Sequence, residues 1–180
     1  MRKAHENNPD LSPNKASTPK TRGYFAVGVE EISKSFNLGN LVRTSHAFGA
    51  SFFFTINASV SYQDVKQSDT SHADIHMPFY AYKNISDFTL PKDCSLVGIE
   101  LTDDAVDLPS FRHPLRAAYV LGPEKGSLSP ALVKRCDHIV KIPMKFCVNV
   151  GIAGSLVIYD RMISLGSFAE RPVRVGGKKK

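Results

Sequence analysis

Two amides, a guanidinium and a carboxylate, set in three short segments, carry most of the polar chemistry this 180-residue chain offers. The first segment is Asn37-x-Gly39-Asn40-x-x-Arg43, at the start of a helical pattern. Residues six apart stand about 240° round a helix, so Asn37 and Arg43 share a face only if Asn37 precedes the first turn. The plain alternative is an Asn N-cap and a solvated Arg. The second is Leu121-Gly122-Pro123-Glu124-Lys125-Gly126, which follows the apolar run Ala117–Val120. Such a loop opens at the end of a buried strand, where open α/β sheets place their ligands. Gly122 allows close approach to the backbone, Pro123 stiffens the turn, Gly126 can take positive φ, and Glu124 contributes its carboxylate. The third is Ile142-Pro143-Met144, two residues, then Cys147-Val148-Asn149-Val150, where Asn149 sets an amide at a loop-to-helix junction. Its plain reading is a Pro turn before a small-residue helix.

The elements that must position these segments alternate. Strands are expected at Tyr24–Val29, Ser51–Ile56, Phe79–Tyr82, Ser95–Leu101, Ala117–Gly122 and His138–Ile142. The run Phe52-Phe53-Phe54 predicts burial on both faces. Between Leu38 and Phe48, apolar residues recur at helical spacing and Gly49 supplies a stop. Further helices are expected at Ile85–Leu90, Leu128–Arg135 and Val148–Leu165, with a turn at Asp103–Asp107. The polar stretch 57–78 reads as loop, short helix or both. This alternation predicts an α/β domain with a mostly parallel sheet and helices on both faces.

Composition bounds the rest. With 42% hydrophobic and 22% charged residues the chain is an ordinary globular one, one domain over 23–168 with two basic tails. No apolar run approaches the roughly 18 residues of a membrane span. No N-terminal apolar region reads as a secretory signal. Cys94, Cys136 and Cys147 are odd in number and lack metal-type spacing, which favours reduced thiols in a cytoplasm. The net charge of +6 lies in the tails: residues 1–22 hold five Lys/Arg against two Asp/Glu, and 171–180 hold five Lys/Arg with no acid. Residues 1–22 read as disordered. Basic tails suit a polyanion such as RNA, though Lys-rich ends also serve solubility alone.

Taken together and in order, the Asn-x-Gly-x-x-x-Arg, Leu-Gly-Pro-Glu-x-Gly and Ile-Pro-Met…Asn-Val segments resemble the SpoU (TrmH-type) RNA ribose 2′-O-methyltransferases of the SPOUT superfamily. The resemblance covers about residues 24–165. It implies a homodimeric α/β domain whose C-terminal third forms a trefoil knot, something periodicity could not have revealed. It also implies methyl transfer from S-adenosylmethionine to a ribose 2′-hydroxyl, which needs both groups held in line and a route for the proton. Arg43 is then the activator of the hydroxyl, with Asn37 positioning it or the RNA, and Glu124 and Asn149 completing the catalytic set. Since a guanidinium does not deprotonate, a bound phosphate sharing the proton is the easier chemistry, and the proton's destination stays open. The cofactor pocket falls to three strand-end loops, through Leu101, Thr102, Leu121, Gly122, Ile142, Met144, Cys147 and Val148. Cys147 stands where the family usually has Ser, and Gly151 and Gly154 where it usually has Ala.

The RNA is expected to be tRNA rather than rRNA, because no added RNA-binding module is visible. The competing readings are a non-catalytic RNA-binding module of the same fold and a base-methylating SPOUT enzyme. Other signals fall away. His72 and His76 have helical metal-binding spacing without a third ligand. No P-loop, dinucleotide fingerprint or nucleophile elbow is present. Phe52–Phe54 and Phe79–Tyr82 are better used as core than as base-stacking platforms.

Overall fold

Parallel strands need crossovers, and a strand covered on both faces must be apolar along its whole length. The computed structural model, which describes residues 23–61, 77–166 and 168, meets both requirements. Its elements are β1 (Tyr24–Glu30), α1 (Ser35–Ala47), β2 (Phe52–Ile56), β3 (Phe79–Tyr82), β4 (Ser95–Ile99), β5 (Val106–Asp107), β6 (Arg116–Leu121), α2 (Pro130–Val133), β7 (His138–Lys141) and α3 (Val150–Leu165). The seven strands form one sheet in the order β3-β2-β1-β6-β4-β7-β5. Every pairing is parallel.

Alternation along each strand builds two cores. Phe25, Val27 and Val29 of β1, Phe53 of β2, and Ala117, Tyr119 and Leu121 of β6 face α1 and α3. Ala26, Phe54, Ala118 and Val120 face the other way, onto Phe88, Leu128 and Leu132. Phe53 and Phe54 thus enter opposite cores, as the unbroken apolar run predicts. Phe54 stacks on Phe88 with ring centroids 4.9 Å apart.

Helix α3 packs along α1 because Gly154 leaves room for Leu41. A Cβ at Gly154 would stand 2.5 Å from Leu41 Cδ2. The Gly residues that cost helix propensity therefore set the approach of the two helices.

Several boundaries depart from the expectations. The segment 85–90 is turn rather than helix, with Asp87 and Phe88 amides bonded back to Asn84 and Ile85. Helix α2 is one turn, capped by Ser129, whose hydroxyl accepts from Leu132 N. The expected 103–107 turn contains the two-residue edge strand β5. Helix α1 begins at Ser35, so Asn37 lies inside its first turn and is not an N-cap. The tails 1–22 and 169–180, and the His72/His76 pair, lie outside the described residues.

Candidate active site

All strands point the same way, so the loops after β1, β4, β6 and β7 gather at one rim of the sheet. A cavity of about 320 Å³ opens there, within the range of small-ligand sites. Its apolar wall is Ile99, Leu121, Ile142, Val150 and Ala153; Lys34, Asn37, Glu100, Glu124 and Asn149 supply the polar groups.

The polar groups form one connected chain. The first amides of α1 lack partners within the helix, and its N-cap residue, Lys34, makes no side-chain cap. The Glu124 carboxylate takes that place across the loop. Its Oε2 accepts from Ser33 N (3.2 Å) and Ser33 Oγ (3.1 Å), and its Oε1 from Lys34 N (3.0 Å) and Asn37 Nδ2 (3.1 Å). An anion at a helix N-terminus is also favoured by the helix dipole. Asn37 Oδ1 accepts from Asn149 Nδ2 at 2.9 Å. Asn149 in turn caps α3, its Oδ1 accepting from Gly151 N at 2.8 Å. The three predicted residues thus join the starts of α1 and α3 to the loop after β6. Burial alone would raise the Glu124 pKa; the donors from Asn37, its own backbone and Ser33 outweigh that and hold it below the usual carboxylate value.

Two further carboxylates shape the rim. Glu30, the last residue of β1, is buried and accepts from Ser129 N (2.7 Å) and Ser129 Oγ (2.6 Å). Glu100, just after β4, accepts from Leu128 N (2.7 Å) and Leu101 N (2.9 Å). Both clamp the segment that follows Gly126, whose φ is +108°. Sequence reasoning ended the first strand at Val29, one residue short of Glu30, and passed over Glu100. The available signal was a carboxylate at the carboxyl end of a buried strand.

Seven of the eight expected cofactor residues line the cavity: Leu101, Leu121, Gly122, Ile142, Met144, Cys147 and Val148. Thr102 does not. Its carbonyl accepts from Lys141 Nζ, and its hydroxyl is buried without a partner among the described residues. At Gly122 a Cβ would stand 3.2 Å from Leu128 N, so the glycine lets the 127–128 backbone pack close beside the cavity it lines. Backbone groups of Met144–Val148 form no backbone hydrogen bond among the described residues, so a molecule in the cavity can reach them. An apolar slot edged by free backbone groups fits a flat heterocycle with a polar rim.

Arg43 stands apart. Three of the four expected catalytic residues line the cavity, but Arg43 is exposed, outside it, and without a partner among the described residues. The cause is the helix start: with Asn37 already helical, six residues carry Arg43 about 240° away. Asn37 is buried on the α3 side and Arg43 faces solvent.

Known proteins share this frame. Mouse tRNA (guanosine(18)-2′-O)-methyltransferase TARBP1 is 26% identical over 153 residues, 81% of this chain but 10% of that protein. An uncharacterized tRNA/rRNA methyltransferase of Archaeoglobus fulgidus is 27% identical over 144 residues, covering 77% of this chain and 64% of that one. The chain therefore spans a tenth to just under two thirds of these relatives. The structure of an AdoMet-bound rRNA methyltransferase from Sinorhizobium meliloti superposes with a TM-score of 0.71 at 21% identity, over 83% of this chain and 59% of that one. The SpoU rRNA Methylase family model matches residues 24–159, which takes in every strand and all three segments just described, and the chain belongs to that family.

Proposed function

We propose that this protein transfers a methyl group from S-adenosylmethionine to a ribose 2′-hydroxyl of RNA, with tRNA the favoured substrate. The observation that carries this reading is the Glu124–Asn37–Asn149 chain of hydrogen bonds at the edge of the cavity. It supports the reading because it fixes the starts of both helices beside the place where the reacting groups must meet. The cofactor, when bound, supplies an electrophilic methyl on a sulfonium. Leu101, Ile142 and Val148 would enclose its rings, while backbone groups of Gly122 and Met144 read its polar edges. Arg43, facing solvent about one and two-thirds turns beyond Asn37, meets the RNA from outside the cavity. It orients the 2′-hydroxyl, or the phosphate that shares its proton.

The same reading includes a homodimer and a knotted C-terminal third. Ile152, Leu156 and Tyr159 expose 53%, 40% and 49% of their surface along one face of α3, which supports burial against a second copy. The return of α3 across the sheet to pack on α1, after β7 has paired beside β4, supports the knotted path.

The test incubates the protein and its Arg43→Ala variant with methyl-labelled S-adenosylmethionine and separate tRNA and rRNA pools lacking methylation. Label in a 2′-O-methyl nucleoside of tRNA, lost in the variant, is the expected result. Label on a base would move the protein to another reaction class. Absence of both label and cofactor binding would leave only an RNA-binding module.

A further inference from the structure

Of the aromatic residues at 52–54 and 79–82, all but Tyr80, which is 48% exposed, are at least partly buried. Phe53 stacks on Phe79 (5.6 Å) and Phe54 on Phe88 (4.9 Å). The two most exposed of the other phenylalanines are Phe36 and Phe146, with 72% and 77% of their surface open to solvent against 51% for Phe168. Neither belongs to either core. Phe36 sits between Lys34 and Asn37, and Phe146 between Met144 and Cys147; all four neighbours line the cavity. Both exposed rings therefore belong to segments that line the cavity, the start of α1 and the loop before α3.

The placement of Phe36 relates it to Arg43. Phe36, Asn40, Arg43 and Ala47 make up the exposed face of α1. Seven residues are two turns less about 20°, so Phe36 and Arg43 share that face about 10 Å apart along the axis. Asn40 Cβ lies 3.4 Å from where a Cβ would stand at Gly151. The stripe thus runs beside the start of α3, which the loop carrying Phe146 feeds. Around it Lys34, Arg43, Lys125 and Lys145 are exposed, and none pairs with a carboxylate among the described residues.

Resting on the RNA reading above, we propose that Phe36 and Phe146 are stacking platforms for unpaired RNA bases beside the target nucleotide. Aromatic faces set among unpaired cations match single-stranded RNA, whose base faces are free and whose phosphates seek Lys and Arg. A duplex hides its base faces and would use only the cations. A second copy of this chain is the poorer occupant, because a two-fold contact here would set these four cations against themselves.

The test measures binding of the full chain to a fluorescein-labelled, unstructured 12-nucleotide RNA and to the same strand in a duplex. The single strand is expected to bind more tightly. Phe36→Ala and Phe146→Ala should each weaken it about 5- to 150-fold, with little change for the duplex. Phe→Trp at either site should restore binding, and the salt dependence should stay that of the unsubstituted protein, since no phosphate contact is lost. Unchanged affinity in both Ala variants would overturn the proposal. So would a shift to a smaller species in sedimentation, which would assign the rings to a contact between copies. If the unsubstituted protein methylates neither RNA pool but its single-strand binding depends on both rings, the methyltransferase reading falls and the platform stands. If it methylates RNA and the Ala variants bind as before, only the platform falls.

Discussion

Asn149 serves two structures with one side chain. Its carbonyl oxygen caps α3 and its amide reaches Asn37, which in turn donates to Glu124. Replacing it with Ala removes a cap worth about 0.5–2 kcal/mol and leaves Asn37 Oδ1 without its donor, costing up to about 1–3 kcal/mol more. Asn149→Ala is therefore expected to destabilise by about 2–3 kcal/mol in urea unfolding, and Asn149→Asp to recover the cap alone. Glu124 adds a pH dependence at this scale. Its pKa is lowered on folding, so its contribution is complete above the unfolded value of 4.5 and is lost as pH falls through the lower folded value. Glu124→Gln should flatten stability against pH in that acid window while weakening the charged cap of α1, which thermal unfolding between pH 3 and 6 would read.

Between elements, the contact of α1 with α3 depends on absent side chains. Gly154 is buried and its missing Cβ lies within 2.5 Å of Leu41 Cδ2. Gly154→Val adds branched bulk that Leu41, itself fully buried, can escape only by displacing the helices. The cost should be about 1–3 kcal/mol in denaturant unfolding. The inner strands were the most legible elements, because β1, β2, β4 and β6 bury both faces and so read as unbroken apolar runs: Phe52-Phe53-Phe54 and Ala117–Leu121 needed no tertiary information. The start of α1 was not legible. Lys34 is no favoured cap, and the group that performs the capping, Glu124, is 90 residues away. That long-range cap drew Asn37 into the helix and turned Arg43 outward. Glu30 and Glu100 were missed for the same reason, since their partners Ser129 and Leu128 lie across the fold. Local pattern carries the strands, whereas the rim of the cavity is decided by contacts between loops far apart in sequence.

At the scale of the whole molecule, the end of the sheet opposite the cavity is held by a buried polar relay. Arg161 is 3% exposed and forms no ion pair among the described residues; it donates to the carbonyls of Pro114, Tyr24 and Leu115 and to Tyr119 Oη. His113 Nδ1 lies 2.6 Å from Tyr119 Oη and Nε2 lies 2.9 Å from Asp160. In the neutral ring that burial favours, Nε2–H donates to Asp160 and Nδ1 accepts from the Tyr119 hydroxyl. Burial lowers the His113 pKa below 6.5, against the opposing pull of Asp160, and burial raises that of Tyr119 to about 12. Protonating His113 would break the bond from Tyr119. A lowered folded pKa means its stabilising contribution is complete above pH 6.5 and is lost as pH falls below it. The melting temperature is expected to fall between pH 7 and 5, with a shallower slope in His113→Gln; equal slopes would remove His113 as the cause. The order of the strands bears on how quickly such a molecule can form. β1 lies inside the sheet beside the central strand β6, yet β6 follows it by 92 residues, as the Tyr24–Arg116 register shows. During synthesis, β1 has one open edge until residues 116–121 leave the ribosome, and the central pairing closes only after a long loop does. Such non-local pairing folds slowly and leaves a sticky edge meanwhile, so refolding of this chain should be slow for its size and sensitive to protein concentration.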